Sequence, residues 1–472
     1  MSLNRKIAHN SIIQLSGKLI SLILGLIAMM IMTRYLGQEQ FGYYYTVIAF
    51  LQFFGILVDF GLTLTTVQMI SDPNRNISKV MNSLMSFRVI TALGFLALAP
   101  LVVWFFPYNV YIKLGVLITV ASFFCITVIQ SLTGVFQQKL KMFKVTLAEV
   151  IGRIVLVAGV ALTVYFDQGI YWVFWSITIG SIVNLLIVFF QSRKYIQWRL
   201  EFDWQIWKEI MSRSWPIALS ISFNLIYLKL DSIILSVTHS QAEVGLYGAT
   251  YRVVDILTML PAVLMGLVLP VATRYFVEKK KEELFNILQK SFDALIVFAV
   301  PLVLGTMVIA VPVMEFVAGK DFSASGDILK VLILASGAIF VTTLSGYAVV
   351  AVKKQKTMMW GYLAAAIITL AGYLYFIPKY GYWGAAWMTV FSEVMIMIWT
   401  TVLIYKTIKF FPSLKTFFRT LVPAIVMTGA LYYVRDLHAL FLVLISIVVY
   451  FPLLYMFGGI KKQTLRDLMR LK

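Results

Sequence analysis

Apolar stretches of about 20 residues recur along the whole chain, and this repetition constrains the fold more than any other feature. A stretch of that length matches a helix that crosses the hydrocarbon core of a bilayer. Of the 472 residues, 61% are hydrophobic and 13% are charged, whereas soluble proteins carry about 25% charged residues. The sequence therefore predicts an all-α integral membrane protein with about 14 transmembrane helices.

The predicted spans divide into two sets of six and a final pair. They lie near residues 9–34, 42–69, 80–106, 111–138, 145–166, 170–192, 214–237, 244–273, 284–312, 324–352, 357–377, 382–405, 416–434 and 437–459. The first span is too long for a signal-peptide core and lacks a cleavage site, so we interpret it as a retained helix. We predict a six-helix lobe over 1–192, a cytoplasmic interfacial linker over 193–213, a second six-helix lobe over 214–410, and two extra helices with a basic tail over 411–472.

The linker over 193–213 carries Trp198, Trp204 and Trp207 among charged residues. This composition predicts a short helix that lies in the membrane interface. The alternative is a solvated linker with aromatic anchors.

Positive charge indicates the orientation of the chain. Most of the 40 Lys and Arg fall in loops on the side of the N-terminus, among them a group at Lys139, Lys141 and Lys144. The loops of the other side carry five, namely Arg34, Lys113, Lys320, Lys379 and Arg435. Because cytoplasmic loops are enriched in Lys and Arg, both termini are predicted to be cytoplasmic. The net charge of +19 has the same cause, and we expect no nucleic-acid partner.

The two sets of six spans resemble each other. Three residues of the first set recur in the second at a constant offset of 203, namely Gln38, Gly42 and Tyr44 at Gln241, Gly245 and Tyr247. The segments that begin at Gly169 and Gly381 match at an offset near 212. An even number of spans separates the matches, so the repeats are parallel. Transporters with such halves bind substrate between them, near the middle of the membrane.

Polar residues form a stripe on the first span of each set. The stripes are Asn10, Gln14, Lys18 and Ser21, and Ser220, Asn224, Tyr227 and Asp231. Their spacings of three and four place each stripe on one helical face. Because polar stripes avoid lipid, they predict either a cleft between the halves or polar contacts between helices.

Charged residues inside the spans are the candidate site. The cations are Lys18, Arg88, Arg153, Lys229 and Arg252, and the acids are Asp59, Glu149, Asp231 and Asp255, with Asp293 and Glu393 also inside the membrane. Charges at this depth usually face a cavity or pair with one another. Several cations suit an anionic ligand, above all phosphate, and the acids are candidates for carrying a coupling proton or sodium ion. We predict no metal site and no catalytic residues.

Depth and spacing also predict structural pairs. Lys18 with Asp59, and Glu149 with Arg153, are expected to pair within the first half. Residues 229–255 are predicted to form a hairpin of two apolar helical segments joined by a polar turn at 239–243. Counted from that turn, Asp231 lies at the depth of Arg252, and Lys229 lies at the depth of Asp255, so each two are expected to pair. Arg88 has no expected partner, and its side chain is either a cavity cation or reaches the interface.

Three segments resemble a known family. They are residues 31–62, which read IMTRYLGQEQFGYYYTVIAFLQFFGILVDFGL, the stretch from Asp231 through Val244-Gly245-Leu246-Tyr247 to Pro270, and Gly381-Tyr382-Trp383-Gly384-Ala385-Ala386. The chain resembles the Wzx-type polysaccharide transporters, of the same superfamily as the MATE multidrug exporters and the lipid II flippases.

The resemblance implies a MATE-like fold and a flippase of the bacterial plasma membrane. Its substrate would be an oligosaccharide linked to undecaprenyl pyrophosphate, moved by alternating access and coupled to a proton or sodium gradient. A polysaccharide polymerase and chain-length regulators are possible partners.

Three alternatives stay open: a lipid II flippase, a cation-coupled multidrug exporter of the same fold, and a membrane glycosyltransferase or polymerase. An exporter of organic cations would be expected to have acids in its first lobe, whereas the first span here carries Lys18. A polymerase usually needs a large external loop. We therefore expect a transporter that is not an enzyme. Because no GxxxxGK[ST] motif occurs, ATP is not expected to be a direct fuel. We expect no cofactor, and a proton or sodium ion is the candidate coupling ion.

Overall fold

The computed structural model describes residues 3–59, 62, 69, 77–139 and 141–459, and the regular structure in this part of the chain is helical throughout. This part contains twelve α-helices. They are α1 (Leu3–Asp59), α2 (Ile77–Val102), α3 (Val110–Gln138), α4 (Met142–Tyr165), α5 (Ile170–Ser192), α6 (Trp204–Thr238), α7 (Gln241–Val277), α8 (Lys281–Ala318), α9 (Ser323–Ala351), α10 (Gln355–Ile408), α11 (Lys415–Tyr433) and α12 (Ala439–Met456).

Two of these helices are interrupted at a glycine. The backbone leaves the helical conformation at Gly37 in α1 (φ 65°, ψ −176°) and at Gly381 in α10 (φ 56°, ψ −136°). Such positive φ angles are accessible mainly to glycine. With each interrupted helix counted as two, the described residues contain fourteen helical segments, at the places of the fourteen predicted spans. Ten helices of this described part are long and apolar enough to cross a membrane, α1 and α10 among them. The predicted all-α membrane fold is confirmed.

The backbone at Gly169 supports the internal repeat. Gly169 precedes α5 with φ 77° and ψ −176°, and Gly381 precedes the second segment of α10 with a similar positive φ. These are the two glycines that the sequence match equates. The same unusual conformation therefore starts the sixth span of each set.

A second pair of repeated glycines forms a reciprocal contact. A methyl group added to Gly42 would lie well inside 3.0 Å of the Gln241 carbonyl oxygen, and one added to Gly245 would lie similarly close to the Gln38 carbonyl oxygen. Each repeat thus places its glycine against the backbone of the other repeat's glutamine. Thr46 adds a hydrogen bond from its Oγ1 to Gln241 Oε1 of 2.8 Å. Only glycine permits so close an approach of two helices.

The chain divides by its contacts into two compact units, residues 1–245 and 246–472. In the first unit, α1 packs on α3 and α4, and α5 packs on the same two helices. In the second unit, α9 packs on α8 and α10, and α11 packs on α8. The four-part division predicted from the repeat stays a prediction.

The segment that follows α5 differs from the expected short interfacial helix. Residues 196–203 are not helical, and α6 begins at Trp204 and continues to Thr238. Asp203 starts that helix by accepting hydrogen bonds from the N–H groups of Gln205 and Ile206. Asn82 and Ser86 of α2 bind the backbone of the segment at residues 197, 199 and 201. The helix expected in this segment therefore forms only from Trp204 onward, as the first turns of α6, while residues 196–203 are held by side chains of α2.

We predict that Gly42→Ala and Gly245→Ala each destabilise the protein by about 1–3 kcal/mol, because the added methyl group must push two helices apart. Thermal unfolding of the purified protein in detergent measures the effect. Gly94→Ala is the matched control, because a methyl group at Gly94 meets nothing within 4 Å. Equal stability of the Gly42 and Gly94 variants would contradict the proposed close contact.

Candidate functional site

Arg88 and Asp59 form a buried ion pair in the first unit. Arg88 of α2 is fully buried, and its Nη2 lies 2.7 Å from Asp59 Oδ1. The guanidinium also donates to Ser131 Oγ at 2.9 Å and to the Val58 carbonyl at 3.1 Å. A guanidinium held by a carboxylate, a hydroxyl and a carbonyl has its donors satisfied inside the protein. This arrangement is typical of a structural ion pair.

Lys18 and Glu149 form a second, more open pair. Lys18 Nζ lies 3.7 Å from Glu149 Oε1, and the two side chains are 48% and 29% exposed. The pair joins α1 to α4, which meet closely where Gly17 packs against Thr146. Its exposure distinguishes this pair from the buried pair of Arg88.

Arg153 lies one turn beyond Glu149 on α4 and is exposed. Its guanidinium faces Gly25 of α1, since a Cβ atom added to that glycine would lie 3.9 Å from Arg153 Nη1. In the part of the chain that the structure describes, no carboxylate forms an ion pair with Arg153. Lys18 and Arg153 therefore place two exposed cations along the contact between α1 and α4.

These pairs differ from the expected ones. Lys18 was expected to pair with Asp59, and Glu149 with Arg153, but Lys18 pairs with Glu149 and Asp59 pairs with Arg88. Of the two alternatives for Arg88, the one in which its side chain reaches the interface is wrong, because the side chain is enclosed between α1, α2 and α3. Its role as a cavity cation stays a prediction. Spacing along one helix favoured Glu149 with Arg153, but the contact between α1 and α4 places Lys18 within reach instead.

The hairpin residues have different environments. Asp231 is fully buried, and its Oδ1 accepts hydrogen bonds from the N–H and the hydroxyl of Ser232 at 2.6 and 3.2 Å. Lys229 and Arg252 are half-buried, and Asp255 is exposed. Their expected pairing, Asp231 with Arg252 and Lys229 with Asp255, stays a prediction.

Four residues were expected to line a cavity with polar groups. Gln14 is exposed on the same side of α1 as Lys18, as its spacing predicts. The side chains of Asn10, Asn224 and Tyr227 lie outside the described residues. The predicted cavity therefore rests on the charged residues and Gln14.

The second unit contains a buried polar cluster that the sequence analysis missed. The hydroxyl groups of Tyr247, Tyr251 and Tyr373 each lie 3.4 Å from Thr389 Oγ1, and all four side chains are buried. Glu393 follows Thr389 by one helical turn and is 2% exposed. Two pairs of polar residues four positions apart, Tyr247 with Tyr251 and Thr389 with Glu393, could have indicated the cluster. Residues at this spacing lie on the same face of a helix.

Glu393 is a buried carboxyl inside the predicted twelfth span. In the described part of the chain, no lysine or arginine forms an ion pair with it. Asp293, the other additional acid inside the spans, has a neutral hydrogen-bond donor. Its Oδ1 accepts a hydrogen bond of 2.8 Å from the Gln289 side chain. An intramembrane carboxyl without a cationic partner is a group suited to binding and releasing a small cation or proton.

Comparison with known proteins identifies a family and relatives. Residues 7–276 match the profile of the family described as "Polysaccharide biosynthesis protein". A Shigella dysenteriae protein described as "Putative O-antigen transporter" is 23% identical over 377 residues, which cover 78% of this chain and 92% of that protein.

Two solved structures share the fold. The lipid II flippase MurJ in an inward closed conformation has 18% sequence identity and a TM-score of 0.78, over 97% of this chain and all of that one. An inward-facing multidrug resistance MATE family transporter of the MOP superfamily has 13% identity and a TM-score of 0.66, over 84% of this chain and 98% of that one. These likenesses confirm the predicted MATE-like fold.

We predict that Arg88→Met destabilises the protein by about 3–5 kcal/mol, because it leaves the Asp59 carboxylate without its buried partner. Lys18→Met should cost less than about 1 kcal/mol, because its ion pair is open to solvent. Unfolding in mixed detergent micelles measures both values. The double variant Arg88→Met/Asp59→Asn should recover part of the loss, and a loss at Arg88 no larger than at Lys18 would argue against a structural ion pair.

Proposed function

The chain belongs to the polysaccharide biosynthesis protein family, and we propose that it is a flippase for lipid-linked oligosaccharides. In this proposal it moves an oligosaccharide repeat unit on undecaprenyl pyrophosphate from the cytoplasmic to the outer leaflet of the bacterial plasma membrane. Both termini lie in the cytoplasm, as the distribution of Lys and Arg predicts. The relative described as "Putative O-antigen transporter" supports a substrate of this class.

The observation that carries the proposal is the exposure of Lys18 and Arg153 inside membrane-spanning helices. Arg153 lies eleven residues into α4, or about 16 Å at 1.5 Å per residue, near the middle of a span. A cation at that depth costs roughly 2.5–3.5 kcal/mol or more in lipid. These side chains are therefore expected to face water inside the protein.

The surface of α1 supports this assignment. Its exposed residues Leu19, Ile23 and Ile27 recur every four positions and form an apolar stripe. Gln14 and Lys18 form a polar stripe beside it. One side of the helix thus suits lipid, and the adjacent side suits a hydrated cavity.

The cations have a direct role in this proposal. Lys18 and Arg153 bind the diphosphate of the substrate, because ammonium and guanidinium groups form charge-assisted hydrogen bonds with phosphoryl oxygens. Glu149 competes with the diphosphate for Lys18, because it is the ion-pair partner of Lys18 in the unloaded site. Lys229 in the first unit and Arg252 in the second are further candidates for binding phosphoryl oxygens. Alternation between inward-open and outward-open states then carries the headgroup across the membrane.

Ion coupling is assigned to the acids inside the predicted spans. Asp59 and Glu149 form ion pairs with Arg88 and Lys18, and Asp231, Asp255 and Glu393 are the other candidates. We favour Glu393, because it is buried one helical turn from Thr389 and forms no ion pair with a lysine or arginine among the described residues. Binding and release of a proton or sodium ion there would bias the two states of the transporter. A polysaccharide polymerase and chain-length regulators are the expected partners on the outer side.

We predict that the wild-type chain restores surface polysaccharide in a bacterial strain that lacks its own flippase. Lys18→Gln and Arg153→Gln should lower the yield at least tenfold at an equal protein level in the membrane, because they remove phosphate ligands. Lys353→Gln, in an exposed loop, is the control with the same loss of charge. Drug resistance without polysaccharide rescue by the wild type would identify a multidrug exporter instead, and rescue of lipid II transport alone a lipid II flippase.

We predict that Glu393→Gln separates transport from its driving force. In proteoliposomes, the variant should move substrate down the substrate's own gradient at the wild-type rate. The stimulation by an imposed proton or sodium gradient should fall about tenfold, since an amide cannot exchange a cation. Glu278→Gln, which removes an exposed carboxylate beyond the end of α7, serves as the control. Full stimulation of the Glu393 variant would assign the coupling to another acid.

A further inference from the structure

Two lysines gather beside one tyrosine at the turn between α3 and α4. The Nζ atoms of Lys141 and Lys144 lie 5.5 and 4.9 Å from the centroid of the Tyr195 ring. A third lysine, Lys139, is exposed in the same turn. This cluster, here called the Tyr195 site, is separate from the intramembrane cations Lys18 and Arg153, because it lies at the ends of its helices.

Tyr195 is held in place by its own neighbours. Its ring packs edge-to-face on Phe136 at a centroid distance of 5.6 Å, and its N–H donates to the Ser192 carbonyl at 2.8 Å. Trp198, three residues later, donates from its indole N–H to Ser192 Oγ at 2.7 Å. The ring is thus a fixed support at which the two lysine side chains meet.

The described part of the chain places no ion-paired acid at the Tyr195 site. Within the residues that the structure describes, no carboxylate forms an ion pair with Lys139, Lys141 or Lys144. Two ammonium groups close together repel each other, and an anion between them removes that repulsion.

Two further features favour an anion at this place. The first turn of α4 contains no acidic residue, and its N-cap residue Lys141 provides no side-chain cap, so the positive end of the helix dipole adds to the charge. Burial raises the pKa of Tyr195, but hydrogen bonding and charge from Lys144 and Lys141 outweigh it and leave the pKa below its ordinary value. A negative charge is therefore favoured at this position.

We propose that Lys141, Lys144 and Tyr195 form a binding site for a phosphoryl group carried by a membrane lipid. The site lies where helices end, at the level of lipid headgroups, so a lipid phosphate reaches it from the bilayer. Two lipids offer this chemistry: the prenyl diphosphate of the substrate, which rests on the proposed function, and an anionic bilayer lipid such as phosphatidylglycerol. In the first case the site collects the substrate before it enters the cavity.

The test measures binding of farnesyl diphosphate to the full-length protein in phosphatidylcholine nanodiscs. The double variant Lys141→Gln/Lys144→Gln is expected to bind at least tenfold more weakly than wild type, and Tyr195→Phe about threefold more weakly. Lys353→Gln/Lys354→Gln removes two exposed lysines from another loop and should bind like wild type. Equal thermal stability of the variants shows that each one is folded.

Other probes distinguish the lipid source. Native mass spectrometry counts the phosphatidylglycerol molecules retained by wild type and by the Lys141/Lys144 variant. Inorganic pyrophosphate is added as a competitor in the measurement of farnesyl diphosphate binding. Loss of farnesyl diphosphate binding alone assigns the site to the substrate lipid. Loss of phosphatidylglycerol alone assigns it to the bilayer lipid. Unchanged binding of both lipids in the Lys141/Lys144 variant overturns the proposal.

The proposal of the Tyr195 site and the flippase proposal can fail separately, and the two experiments distinguish these failures. If the wild type restores polysaccharide but the Lys141/Lys144 variant binds both lipids normally, the Tyr195 site is refuted and the flippase stands. If the wild type gives no rescue but lipid binding depends on these lysines, the flippase proposal fails and the Tyr195 site stands.

Discussion

Inside a bilayer there is no water to satisfy a polar group, and this constraint governs both the backbone and the charged side chains of the protein. The backbone meets it with helices, interrupted within α1 and α10 at Gly37 and Gly381. The side chains meet it in two ways. Arg88 is enclosed with Asp59, Ser131 and a backbone carbonyl, whereas Lys18 and Arg153 keep an exposed surface. The first solution stabilises the fold, and the second makes an anion site possible.

Much of the fold could be predicted from the sequence, because span length and repetition are local properties. The fourteen spans and the glycine matches required only hydrophobicity and spacing. The pairing of charges could not be predicted in the same way, because it depends on which helices touch. Glu149 has Arg153 one turn away on its own helix, yet it pairs with Lys18 because Gly17 allows α1 to approach α4. Arg88 finds its partner through the packing of α2 against the end of α1.

The cluster around Thr389 was missed for a related reason. Tyrosine and threonine in membrane helices usually read as ordinary packing residues, and their hydroxyl groups gain meaning only when several converge. Tyr247, Tyr251, Tyr373 and Thr389 come from two different helices that are distant in sequence. In the linker after α5, side chains of α2 bind the backbone of residues 197–201, and the helix that the composition favoured begins only at Trp204.

Gly42 contacts Gln241, and Gly245 contacts Gln38 in return. This reciprocal contact has the form of an interface between two identical partners. In a two-fold dimer, residue i of one copy meets residue j of the other, and j meets i in return. A six-span ancestor carrying this Gln-x-x-x-Gly turn would pair with a second copy of itself through the same contact. Duplication and fusion of its gene would then carry an existing dimer contact into a single chain.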